Sequence, residues 1–219
     1  ALLETGALPA RSPQDEPGPW MVQEEWRVLL EDALDAGRGD HWLSWLHLGV
    51  MRLEAFDRPG AREAWMCSIA HAPSAWAFRN LSVLEGHPEE AIHLMQQAWE
   101  IGPAIPALAI EYAHLLLKAG HHDELTAFIE RAPAAIREHE RILLIAAHSA
   151  LETGRWQDVE PLFDREFATI QEGEVTLTNL WFRFHEQMTA AAEGCPIDDE
   201  LRARIRKDYP PPSHIDFRA

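Results

Sequence analysis

From Trp20 onward, apolar residues recur at three- and four-residue spacing almost without interruption. Nowhere do Val, Ile, Thr and aromatic residues alternate for long enough to propose a strand. The pattern predicts an all-α chain, with helices over 20–37, 40–55, 60–72, 74–85, 88–102, 104–119, 122–131, 135–153, 155–166, 174–193 and 197–208. The connections are short, as helical hairpins require. Residues 1–19 (ALLETGALPARSPQDEPGP) read as a Pro-rich, acidic lead-in or linker with weak structure, ahead of a helical domain over 20–208. Residues 209–219 read as an extended tail that lies on the surface or free.

A longer period underlies the short one. Gly86, Gly120 and Gly154 are 34 residues apart, and each is followed five positions later by a small or aliphatic residue: Ala91, Leu125 and Val159. Each Gly is expected to end the first helix of a pair in a left-handed turn, with the aliphatic residue opening the apolar stripe of the second helix. Upstream, Trp45, Leu48 and Gly49 give W-x2-L-G, and Ala61, Trp65 and Pro73 follow at the offsets of an A-x3-F element and a closing Pro. Large rings at 45 and 65 are expected to fill the space left by small residues at 49 and 61, so that two helices cross closely. Arg52 stands where that pattern wants an aromatic residue. Ala61 and Ala91 are 30 residues apart, so the second pair has a shortened first helix, with Ser74 as its N-cap.

These residues resemble the tetratricopeptide repeat family. The stretches HWLSWLHLGV (41–50), PSAWAFRNLSVLEG (73–86) and QEGEVTLTNLWF (171–182) resemble, more narrowly, the C-terminal repeat segment of large bacterial proteins of unknown function with a β-rich, sugar-binding or sugar-active N-terminal region. The first resemblance implies a right-handed α-solenoid of four helix pairs over about 42–168, with capping helices at both ends. It also implies that the concave face, formed by the first helix of each pair, holds a peptide or domain. Counting back from the Gly anchors, the ninth repeat position falls on Asn80, His114 and His148, which would line that groove as a hydrogen-bonding ladder. Arg79 occupies a position that usually holds a small residue, and is expected either to reach an acidic partner or to pack on Trp76. The narrower resemblance implies that any carbohydrate chemistry lies outside this chain. The Lys, Asn and Arg set of carboxylate-clamping tetratricopeptide domains is missing, because Lys118, near a helix end, is the one lysine inside the repeats.

Charge narrows the partners. With 36 acidic against 19 basic side chains the formal net charge is -17, which leaves no counterion-releasing surface for nucleic acid and favours encounter with a basic protein surface. Cys67 and Cys195 lie far apart with no CxxC spacing, which fits a reducing, cytoplasmic setting. No apolar run approaches the roughly 18 residues of a spanning helix, so no membrane partner is expected. The chain begins at Ala1, as expected either for a fragment of a longer protein or after removal of Met.

Candidate chemistry is sparse. Cys67 with His71, and His121 with His122 and Asp123, are pairings that a metal would use, but neither carries an HExxH or paired CxxC pattern, and no metal or other cofactor is expected. Among the carboxylates, Glu89, Glu90, Glu172 and Glu174 are marked by no catalytic motif, and neither a P-loop nor a GxGxxG occurs. Asn80-Leu81-Ser82 is formally a glycosylation sequon, but it lies inside a predicted helix. Of the nine tryptophans, Trp42, Trp45, Trp65 and Trp99 fall on stripes expected to be buried, while Trp181 and Phe182 are expected to anchor a capping helix. The reading is a non-catalytic protein-binding module. The alternatives are an intramolecular scaffold packed on a carbohydrate-active domain of the same polypeptide and, further off, an enzyme in its own right.

Overall fold

A computed structural model describes residues 2–102, 105–168 and 175–216, and among them every regular element is helical. In chain order these are α1 (Leu2–Thr5), α2 (Glu24–Asp35), α3 (Trp42–Glu54), α4 (Arg58–His71), α5 (Ala75–Leu84), α6 (Pro88–Ile101), α7 (Pro106–Ala119), α8 (His122–Arg131), α9 (Ala134–Arg137), α10 (Glu140–Glu152), α11 (Thr176–Glu193) and α12 (Asp199–Asp208). Two 3-10 segments, Trp156–Asp158 and Glu160–Asp164, follow α10. None of these helices is long and apolar enough to cross a membrane. The chain forms two compact units that divide between Leu115 and Leu116, inside α7.

In the first unit α3 packs on α4 and α5 on α6, the pairwise arrangement of tetratricopeptide-like hairpins, with α2 covering α3. Trp65 explains why α3 and α4 cross closely. Its indole lies against Gly49, where any Cβ would collide with the ring, and its Nε1 donates to the Leu46 carbonyl over 3.1 Å. Ala61, fully buried one turn before it, completes the pocket. Trp42, Leu43, Leu46, Ala77, Leu81 and Leu84 extend this core from α3 to α5. Asp57 caps α4 by accepting from the Gly60 N–H, and Ser74 caps α5 by accepting from the Ala77 N–H, as its sequence predicts. Between α3 and α4, Phe56 takes a left-handed backbone (φ 62°) and is 94% exposed. The lead-in is not loose: Leu2 is buried with Leu30, Ala33, Leu48 and Met51, and Leu8 packs on the same cluster.

In the second unit two of the expected helices differ from the sequence reading. The helix expected over 155–166 is a pair of 3-10 turns, because Pro161 has no N–H to donate and its ring blocks an α-helical continuation. The helix expected over 135–153 is broken into α9 and α10, where His139 turns extended (ψ 127°) and its Nδ1 accepts from the Arg141 N–H. Gly120 and Gly154 do adopt left-handed conformations (φ 77° and 74°), whereas Gly86 does not. At Gly86 the turn is made by Glu85, whose carboxylate accepts from the Gly86 and His87 N–H groups and pairs with Arg62. The core gathers Leu144, Leu151, Val159, Phe163, Leu177, Leu180 and Phe184. Trp181 anchors α11 by donating to the Tyr209 carbonyl at 3.0 Å, and Phe182 packs with Leu201 and Ile205 of α12.

Residues 209–216 are docked. Ile215 is fully buried in the core just described, its carbonyl accepts from the Thr178 hydroxyl at 3.0 Å, and His214 Nε2 donates to the Phe163 carbonyl at 2.8 Å.

Two substitutions test these placements in chemical denaturation. Trp65→Ala should lower stability by about 3–5 kcal/mol, since the cavity over Gly49 cannot close. Ile215→Ala should cost about 2–4 kcal/mol; an unchanged midpoint would mean that the tail is not part of the core.

Candidate functional site

The first helix of the second hairpin carries two of the predicted binding residues. α5 is fixed at one end by its Ser74 cap and at the other by Ser82, whose hydroxyl donates to the Ala91 carbonyl of α6 at 2.7 Å. From this fixed helix Arg79 reaches Glu111 of α7 with a two-pronged contact, Nε and Nη2 donating to the two carboxylate oxygens at 2.7 Å each. Its Nη1 donates to the Asn80 Oδ1 at 3.2 Å. The Glu111 hydrogen bonds raise the Arg79 pKa further above its ordinary range. Both side chains of the pair are over a third exposed, so water screens it and its contribution to stability stays below about 1 kcal/mol. Asn80 is buried beneath the fork, at 8% exposure. Trp20, Trp76, Arg79, Asn80, Leu108 and Glu111 border a cleft of about 220 Å³.

The other two predicted residues lie elsewhere. His114 is exposed on α7, three positions after Glu111 and so beside it on one helix face. His148 belongs to the second unit, half-buried on α10, where its Nδ1 accepts from Arg183 Nη1 at 3.3 Å. Arg183 also pairs with Glu152 at 3.7 Å, and His122 bonds to Ser149 at 2.9 Å. Arg79 and Asn80 are thus brought into direct contact, and of the two expectations for Arg79, an acidic partner or packing on Trp76, the structure shows the acidic partner.

A feature the sequence did not predict lies on the same face of the first unit. The main chain of the lead-in runs along α3 and onto α5, and side chains of those helices donate to its carbonyls. His41 Nε2 bonds to Leu8 O (3.1 Å), Trp42 Nε1 to Arg11 O (2.8 Å), His47 Nε2 to Pro17 O (3.0 Å) and Trp76 Nε1 to Asp15 O (3.3 Å). A carbonyl only accepts, so Nε2 carries the proton in both histidines. Among the described residues their buried Nδ1 atoms have no hydrogen-bond partner. Trp20 closes the segment by leaning on the His47 ring, with centroids 4.8 Å apart. One signal was legible: His47 is an imidazole inside the largely apolar run WLSWLHLGV. Glu111 and Trp76 carried no such mark.

The candidate metal ligands are engaged otherwise. His71 Nε2 pairs with Asp40 Oδ1 at 2.9 Å, and the same Asp40 atom accepts from Trp45 Nε1 at 2.7 Å. Burial, then Glu63 and Asp40, push the Cys67 thiol pKa up, which keeps it protonated and a poor nucleophile or ligand. His121 pairs with Glu124, and His122 bonds to Ser149. Among the described residues no three His, Cys, Asp or Glu side chains converge on a metal site. Glu172 and Glu174 lie outside the described residues.

Residues 82–149 match the family model of the tetratricopeptide repeat, a span from the end of α5 through most of α10. No curated protein matches the chain.

His47 sets a pH expectation. Burial lowers its pKa, and the nearby Arg11 charge lowers it further against the opposing Pro17 bond. The folded state therefore binds this proton less readily than the unfolded chain. The stability it supports is complete above about pH 6.5 and is lost as pH falls below that value towards the folded pKa. The melting temperature should drop between pH 7.5 and 5.5, and His47→Gln, which keeps a donor for Pro17, should reduce the drop. His185, likewise lowered by burial, remains to supply the residue of the effect.

Proposed function

We propose that this chain is a non-catalytic docking module for a protein or peptide, working in a reducing compartment. Its contact surface in the first unit is the face of the leading hairpin helices with Arg79, Asn80 and His114; His148 is the candidate contact residue of the second unit, taken by itself. The observation that carries this reading is the Arg79–Glu111 fork at the mouth of the cleft over Asn80. It offers a planar cation, a carboxylate and an aromatic wall in one place, and its exposure leaves it open to exchange partners. The tetratricopeptide match over residues 82–149 supports the same class of function, since such repeats generally hold other proteins. Both cysteines are free thiols, which suits a reducing setting. The net charge of -17 favours a basic partner.

Affinity capture from the source lysate tests the reading, using the whole chain and an Arg79→Ala/His114→Ala version, each at low and high salt. A partner held by the first and lost by the second, and weakened by salt as exposed charges become screened, is the expected result. Identical captures from two equally well-folded baits would move the docking surface away from this face.

A further inference from the structure

The segment lying over α3 and α5 behaves chemically as a bound ligand. Four of its carbonyls, at Leu8, Arg11, Asp15 and Pro17, accept from two imidazoles and two indoles, while the Leu8 side chain, buried Pro17 and the Trp20 ring add apolar contact. Within the segment the main chain is held in shape locally. Ser12 and Asp15 close a turn through paired bonds at 3.1 and 3.0 Å, Arg11 donates to the Glu16 carbonyl, and Gly18 takes a left-handed conformation (φ 85°) that other residues adopt only with strain. Pro9, Pro13, Pro17 and Pro19 stiffen the extended path. The helices contribute donors from rigid rings and the segment contributes acceptors at set intervals, the division of labour seen between a receptor and an extended peptide. Trp20, 44% exposed, ends the segment at the rim of the cleft that Arg79 and Glu111 border.

We propose that residues 8–20 are a tethered ligand of the α3–α5 face, exchangeable with an extended, proline-containing peptide of the same kind offered in trans. The docking reading is the basis for this proposal only in that the cleft rim is shared. In the resting chain the face is occupied, and an incoming peptide must compete with a segment whose effective concentration is set by its covalent link. The donors address main-chain carbonyls, so the face selects an extended backbone with the right spacing and tolerates varied side chains at positions other than those of Leu8, Pro17 and Trp20.

Two measurements on the full chain test this. Trypsin should cut after Arg11 slowly while the segment is seated. Cutting should be at least about tenfold faster in a Trp42→Phe/Trp76→Phe chain, which keeps the rings and removes both indole donors. A Trp20→Ala/Pro17→Gly chain, with every helix donor intact, should be cut faster as well. A cooperative melt, and unchanged cutting after Arg204 in α12, separate release of the segment from general unfolding. The second measurement is fluorescence anisotropy with a labelled synthetic peptide of residues 7–20. The Trp20→Ala/Pro17→Gly chain should bind it at least about tenfold more tightly than the natural chain, because its own segment competes less well. Equal cutting in all three chains overturns the proposal. So does a loosened chain that is rapidly cut after Arg11 yet binds the peptide no better than the natural chain. Neither outcome touches the lysate capture, which can succeed or fail on its own.

Discussion

The Trp65 indole resting on Gly49 sets the geometry on which the first unit depends. A ring that large can be fully buried between two helices only if one of them offers bare backbone, and the Leu46 carbonyl gives its N–H a partner there. The close crossing of α3 and α4 fixes where the opposite side of α3 points, with Trp42, Leu43 and Leu46 passing the constraint on to Ala77 and Leu81 of α5. The rings that hold the lead-in therefore stand on a frame whose spacing is determined by packing behind them.

The parts of the fold that were legible in the sequence are those where one residue has one physical job. Gly49, Ala61 and Trp65 are a size relation, and the relation holds in the structure. Ser74 is a cap, and it caps. The failures occur where spacing alone stood in for chemistry. Gly86 sits at the repeat interval but has no left-handed turn to make, because Glu85 ends α5 in an extended conformation and satisfies the next two N–H groups with its carboxylate. Pro161 lies in a stretch with helical apolar spacing, yet it lacks the donor that the helix needs, and two 3-10 turns result. A periodic pattern records which side chains face the core and says little about which backbone bonds can form.

The candidate site was legible in part for a related reason. Counting repeat positions found Arg79 and Asn80, which do meet, because hairpin geometry places them on α5. The partner of Arg79 is Glu111, 32 residues later, and many carboxylates stood at comparable sequence distances. The lead-in was hidden for a stronger reason. Its hydrogen bonds to the helices involve its carbonyls, which are the same in every residue, so only its few apolar side chains, Leu8, Pro17 and Trp20, could have hinted that it is held.

That anonymity bears on how such a segment changes over evolutionary time. Selection sees Trp42, His47 and Trp76, because losing one of them loses a bond. Apart from Leu8, whose side chain packs on the core, and the prolines and glycine that shape the path, the identities of the residues whose carbonyls they hold matter little to these bonds. Substitution along much of the stretch would cost none of these bonds, whereas loss of a gripping ring would cost one, so the stretch could drift until it resembled a linker while the rings could not. A boundary drawn from composition or divergence would then trim away the very piece that covers the surface.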